Sequence, residues 1–291
     1  MPEAFLRHRI PGARSGIELA LLEWPGTGPP VLLHHANGFC AALWAPVAER
    51  LTDRFRVFAL DARGHGDSSK PDEENAYAWP ELAADLGATA DWVLQQTGAE
   101  TLALGAGHSF GGTLTMMAAA ARPGRYARAL LIDPVILPRP ESLAHEAATG
   151  ENPMAVRARK RRHHWPSRAA ARGFFAGKPL FEQWTPRALD LYAQEGLADV
   201  AGGVELKCPG RVEGAIFGGA RTFDPHAVAE KARLPIRILR ATEGDFPREV
   251  FRDLVARLPD GELDEIEGGH LVVMERPEVV AEAVLAYVDA G

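Results

Sequence analysis

Short apolar runs bounded by turn residues alternate with longer segments of helical spacing along most of this chain. Ala4 to Arg9 and Ile17 to Trp24 alternate in polarity as half-buried strands do, with Pro11-Gly12 as the turn between them. Gly26 to Pro30 makes another turn. Val31 to His35 is a short buried strand that runs into the loop Ala36-Asn37-Gly38-Phe39. Ala41 to Leu51 predicts a helix, and Arg56 to Asp61 the next strand, followed by the turn Arg63-Gly64-His65-Gly66-Asp67-Ser68. Trp79 to Gln96 carries apolar residues at helical spacing. A strand then leads into Gly107-His108-Ser109-Phe110-Gly111 and a helix over Thr113 to Ala121, closed by Pro123-Gly124. Ala129 to Ile132 is a further strand and ends at Asp133-Pro134. Strands alternating with helices in this way predict a parallel sheet covered on both faces.

The pattern changes after Pro134. From Pro138 to about Asp224 no strand periodicity is visible, only helix-forming pieces broken by Pro and Gly and carrying Trp165, Phe174, Phe175, Phe181 and Trp184. Such a stretch is too long and too structured for a plain loop. It includes the basic run Arg157 to His164, which in an acidic chain reads as a solvated helix face rather than an anion or nucleic-acid site. The alternation resumes with a strand at Leu234 to Ala241, a helix at Pro247 to Leu258, a strand at Glu262 to Glu267, the turn Gly268-Gly269-His270 and a final helix at Pro277 to Val288.

Composition narrows this picture. A length of 291 residues suits one large α/β domain with an inserted lobe. The formal net charge of −7 argues against a nucleic-acid partner. Cys40 and Cys208 stand too far apart for a metal pattern or a disulfide framework, which fits a reducing compartment. Met1 to Pro11 is too charged for a signal peptide, and no apolar run approaches a membrane span, so a cytoplasmic protein is expected.

The stretch Gly107 to Gly111 carries the chemistry. Its strand–turn–helix context is the one a G-x-S-x-G nucleophile elbow needs. Ser109 must sit on a sharp turn so that its hydroxyl projects from the sheet edge, and the chain on either side passes too close to allow side chains at positions 107 and 111. The helix that follows directs its N-terminal N–H groups at developing negative charge. A serine hydroxyl also needs a base, and the base needs a group to hold its tautomer. His270, after a strand and two glycines, is the candidate base. His108 adjoins Ser109 but points away from it on such a turn and reads as packing. His34 and His35 end a strand and could line a pocket. The backbone N–H of Phe110, directly after the serine, is a candidate oxyanion donor.

Together, Leu33-His34-His35-Ala36-Asn37-Gly38-Phe39, Asp61 to Ser68, Gly107 to Gly112 and Gly269-His270 resemble the α/β-hydrolase superfamily, specifically its cap-bearing serine hydrolases. The resemblance implies a mostly parallel eight-stranded sheet flanked by helices. A helical cap would lie between the sixth and seventh strands. The corresponding division is a core over residues 1–134, a cap over 135–224 and the rest of the core over 225–291. It also implies a Ser–acid–His triad of Ser109, Asp245 and His270. The acid follows the seventh strand, but the chain departs from the usual spacing there: Ala241 ends the strand and Asp245 falls one residue late. Glu243 and, after the sixth strand, Asp133 are the rivals. The second oxyanion donor would be the N–H of Phe39, with the Asn37 side chain as an alternative, and His65 would be a structural turn residue.

Phe39, Trp44 and the aromatics after Pro134 could form an apolar pocket, although most read as core. No metal-ligand spacing appears, Gly105-Ala106-Gly107 lacks the rest of a dinucleotide fingerprint, and no cofactor is assigned. The expected activity is hydrolysis of a small ester or related acyl substrate through an acyl-enzyme on Ser109. Acyl transfer, carbon–carbon bond hydrolysis on the same triad and a silent ligand-binding module are the alternatives.

Overall fold

A computed structural model describes residues 5–136, 151–220 and 223–290. The expected strand residue Ala4 and parts of the expected cap, 137–150 and 221–222, lie outside the described residues.

Two antiparallel strands open the chain, β1 (Leu6–Pro11) and β2 (Glu18–Trp24). The parallel set follows: β3 (Pro30–His34), β4 (Arg56–Leu60), β5 (Leu104–His108) and β6 (Ala129–Ile132), each apolar and buried almost throughout. Burial on both faces is why they read as continuous apolar runs. Between them lie α1 (Ala45–Leu51), α2 (Trp79–Thr97) and α3 (Phe110–Ala121). The α1 helix is preceded by a 3-10 turn over Ala41–Trp44, so the expected single helix is two pieces.

The segment after β6 differs from its sequence-based expectation. It holds α4 (Pro153–Arg159), α5 (Arg168–Ala176), α6 (Pro186–Glu195), α7 (Gly210–Gly219) and α8 (Pro225–Ala229), and also a three-stranded antiparallel sheet. That sheet comprises β7 (His164–Trp165), β8 (Leu197–Val200) and β9 (Gly203–Leu206), with β9 in the middle. Strands of two and four residues are too short to show a period of two.

The large sheet is completed by β10 (Ile236–Glu243) and β11 (Gly261–Gly269). Between and after them come α9 (Arg248–Val255), α10 (Val272–Glu275) and α11 (Pro277–Asp289). Its order is β1-β2-β4-β3-β5-β6-β10-β11, parallel except where β2 pairs with its neighbours. This is an α/β-hydrolase fold. One face packs α1 and α11 through Val31, Leu33, Val57, Leu104 and Leu130, and the other packs α2 and α3 through Leu32, Phe58 and Leu60. The parallel strands bring the loops after β3, β5, β6, β10 and β11 to one edge, where ligands of open α/β sheets bind. Among the described residues no helix is long and apolar enough to cross a membrane.

Candidate active site

Ser109 sits between β5 and α3 at φ 55° and ψ −121°. A left-handed φ on a non-glycine residue costs roughly 1–3 kcal/mol and persists only where the surroundings enforce it. Here close packing does so. A Cβ at Gly107 would lie 2.2 Å from the Gly111 carbonyl oxygen, and one at Gly111 would lie 2.5 Å from the carbonyl oxygens of both His34 and His35. These obstacles are backbone and cannot swing aside. Gly111→Ala is therefore expected to lower stability in denaturant unfolding by about 2–3 kcal/mol and to displace the serine. Unchanged stability would mean that the turn relaxes freely.

His270 follows β11. Its Nε2 lies 2.9 Å from Ser109 Oγ, and its Nδ1 lies 2.6 Å from Asp133 Oδ2. A carboxylate only accepts, so the ring proton belongs on Nδ1 and Nε2 is left to accept from the serine hydroxyl. Asp133 is fully buried at φ 39° just past β6, and its other oxygen accepts the Ala241 N–H at 3.0 Å.

The acid is thus a correction to the sequence-based expectation: Asp133, not Asp245, stands against His270. β10 continues through Glu243, with a register shift between Ala241 and Glu243, so Asp245 falls in the exposed bend beyond it. Glu243 is exposed as well. Gly244 passes directly over the Asp133 carboxylate, where a Cβ would come within 2.7 Å of Oδ2. The space beside His270 is filled from β6 before β10 can contribute a side chain.

Phe110 is the first residue of α3, so its N–H has no partner within the helix. Phe39 lies in the loop after β3, where its N–H makes one long bond of 3.3 Å to the Ala36 carbonyl. Asn37 is committed elsewhere: its Nδ2 donates to the Glu213 carbonyl at 3.1 Å. Buried groups brace this loop. His65 Nε2 accepts the Gly38 N–H at 3.0 Å, and His35 Nε2 accepts the Ala62 N–H at 3.0 Å. Burial pushes both imidazoles below their ordinary range, which keeps them neutral and able to accept. His65 is thus a structural residue of the turn after β4. His34 is buried and driven down to about 3, first by burial and then by His35.

His108 does more than pack. Its Nε2 is 2.6 Å from the His270 carbonyl oxygen, so it must donate there. Burial holds its pKa at about 3, so the ring is the neutral donor tautomer. Nothing in the sequence marks this contact, because the two residues lie 162 positions apart.

The segment after β6 leans on the same edge. Phe39 meets Trp184 at a tilt and Tyr192 edge to face, at ring-centroid distances of 5.2 and 5.4 Å, and Trp165, Phe174, Phe175 and Phe181 continue the cluster. Trp44, Trp165, Phe175, Phe181 and Trp184 are all buried in one core with β3 and α11. The basic run is not simply a solvated face. Arg161 pairs with Glu213 and donates to Tyr192 Oη at 3.2 Å, while Arg162 lies over the rings of Trp165 and Phe174. Among the described residues no three His, Cys, Asp or Glu side chains gather as a metal site.

The Alpha/beta hydrolase family profile matches residues 31–283. A putative carbamate hydrolase, RutD, of Caulobacter segnis is 26% identical over 288 residues, covering 96% of this chain and 99% of that protein. The 2-(acetamidomethylene)succinate hydrolase of Mesorhizobium japonicum is 27% identical over 267 residues, covering 91% of this chain and 90% of the relative. The crystal structure of an E-2-(acetamidomethylene)succinate hydrolase superposes with a TM-score of 0.83 at 23% identity, covering 98% of this chain and 99% of that one. These relatives are hydrolases, and the match spans the strands and loops that assemble the site. The chain belongs to the alpha/beta hydrolase family.

Proposed function

We propose that this enzyme is a serine hydrolase that cleaves a small carboxylic ester or related acyl substrate through an acyl-enzyme on Ser109. The observation that carries this reading is the hydrogen-bonded series Asp133–His270–Ser109, with contacts of 2.6 and 2.9 Å. Ser109 Oγ attacks the substrate carbonyl carbon while His270 Nε2 takes the hydroxyl proton. Asp133 holds the tautomer and stabilises the imidazolium that results. The tetrahedral oxyanion is received by the N–H groups of Phe110 and Phe39, aided by the N-terminal end of α3. Collapse expels the leaving group, which takes the proton from His270. Water then attacks the acyl carbon, His270 removes its proton, and the acid leaves with Ser109 restored.

The segment over 135–224 acts in this reading as a cap. The ring contacts of Trp184 and Tyr192 with Phe39 support it, since they seat that segment on the proposed oxyanion loop. The relatives favour a second substrate class: one is named a putative carbamate hydrolase and another a 2-(acetamidomethylene)succinate hydrolase. Acyl–nitrogen bonds yield to the same triad if the leaving nitrogen is protonated by His270. A panel of p-nitrophenyl esters of graded acyl length, with a carbamate and an N-acyl enamide, would be run on the protein and on Ser109→Ala. Turnover of an ester or an acyl–nitrogen substrate that requires Ser109 is the expected result. Turnover that survives the substitution contradicts the proposal.

A further inference from the structure

His270 rides on a short connection between two elements, and the sequence around it is glycine-rich. β11 ends at Gly269, Gly268 has φ +143°, and α10 begins only at Val272. Three grips hold this backbone. His108 Nε2 donates to the His270 carbonyl, and the Gly268 N–H donates to Thr242 Oγ1 at 3.2 Å. The third is Glu275. Its Oε2 accepts the Gly269 N–H at 2.8 Å. The carboxylate thereby takes the amide immediately before His270.

We propose that Glu275 is a positioning residue for His270: by binding the Gly269 N–H directly before it, its carboxylate fixes the ring in line with Ser109. The inference rests on the triad reading above and extends it to a residue that touches no substrate. A carboxylate accepts that N–H in a charge-assisted bond, about twice as strong as the neutral one a glutamine oxygen would make. Displacement of a reacting group by about 1 Å can cost on the order of 100-fold in rate. Glu275 also places a negative charge beside His270. The groups that face it are His270 on the loop and Glu243 at the end of β10, whose charge opposes its own, while Arg276 next in the chain is taken by Glu267. Burial pushes the Glu275 carboxyl above its ordinary range, and the Gly269 N–H and His270 offset part of that.

The test compares Glu275→Gln, Glu275→Ala and Glu275→Asp with the parent and with Ser109→Ala, on whichever substrate the panel identifies. Each protein's thermal unfolding and its kcat and KM across pH are recorded. In the Gln and Ala variants kcat should fall by about tenfold or more with KM little changed. Glu275→Asp keeps a carboxylate, so it should recover part of kcat. Undiminished kcat in Glu275→Gln, or a loss of activity that follows a loss of stability and is not recovered in Glu275→Asp, overturns the proposal and leaves Glu275 a structural residue. Undiminished turnover by Ser109→Ala would instead overturn the triad reading itself.

Discussion

Ser109→Ala should abolish turnover while leaving the fold intact. The expected loss is on the order of 10⁴- to 10⁶-fold, the range in which removal of a triad nucleophile leaves only binding and oxyanion stabilisation. The substitution deletes one buried hydroxyl whose described partner is His270 Nε2. The left-handed backbone at position 109 is enforced by Gly107, Gly111 and the carbonyls of His34 and His35, none of which changes. Far-ultraviolet circular dichroism and the unfolding midpoint should therefore match the parent closely. Parallel kinetics and unfolding curves check this; a variant that loses activity only because it loses structure would show it in the second measurement.

Asp133→Asn should be nearly as damaging, at about 10⁴-fold in kcat/KM, the scale on which the wrong histidine tautomer is felt in serine hydrolases. The new amide can still accept the Ala241 N–H through its oxygen. That turns its NH2 toward His270 Nδ1, where it forces the ring proton onto Nε2. Nε2 then faces Ser109 with a hydrogen and cannot accept. Asp245→Asn should change kcat/KM by no more than about twofold, as exposed substitutions away from a site usually do. Measuring both variants side by side separates the two placements. A large effect at position 245 with a small one at position 133 would move the acid to the loop after β10.

Much of this was visible in the sequence, for reasons that can be named. The parallel strands are apolar on both faces and bounded by turn residues, so β3 to β6 announced themselves. Ser109 was legible because the elbow cannot be built without glycines at positions 107 and 111, and a steric demand of that kind leaves a local mark. His270 was legible from the strand and glycines before it and from its order after the serine. The acid was not, because chain position and space are different things. Asp245 has a suitable place in the sequence, but the extension of β10 to Glu243 carries it past the site into solvent. Asp133 stood as a rival from its place after the sixth strand, but nothing local separated it from a turn residue before Pro134. The roles of His108 and Glu275 differ again. The first depends on a contact across 162 positions, and the second on a carboxylate turning back over half-strand, half-loop backbone. The short strands β7 to β9 were missed because two to four residues carry too little periodicity to distinguish strand from loop.

The most direct measurement is of the acyl-enzyme itself. The protein is mixed with an excess of a chromogenic ester that it turns over, quenched in acid within the first turnovers, and its intact mass and peptide masses are recorded. The account predicts a fraction of the chain heavier by the acyl group, with the modification confined to the peptide containing Ser109 and absent from Ser109→Ala. Steady turnover with an acyl group on another residue, or turnover undiminished in Ser109→Ala, would contradict it.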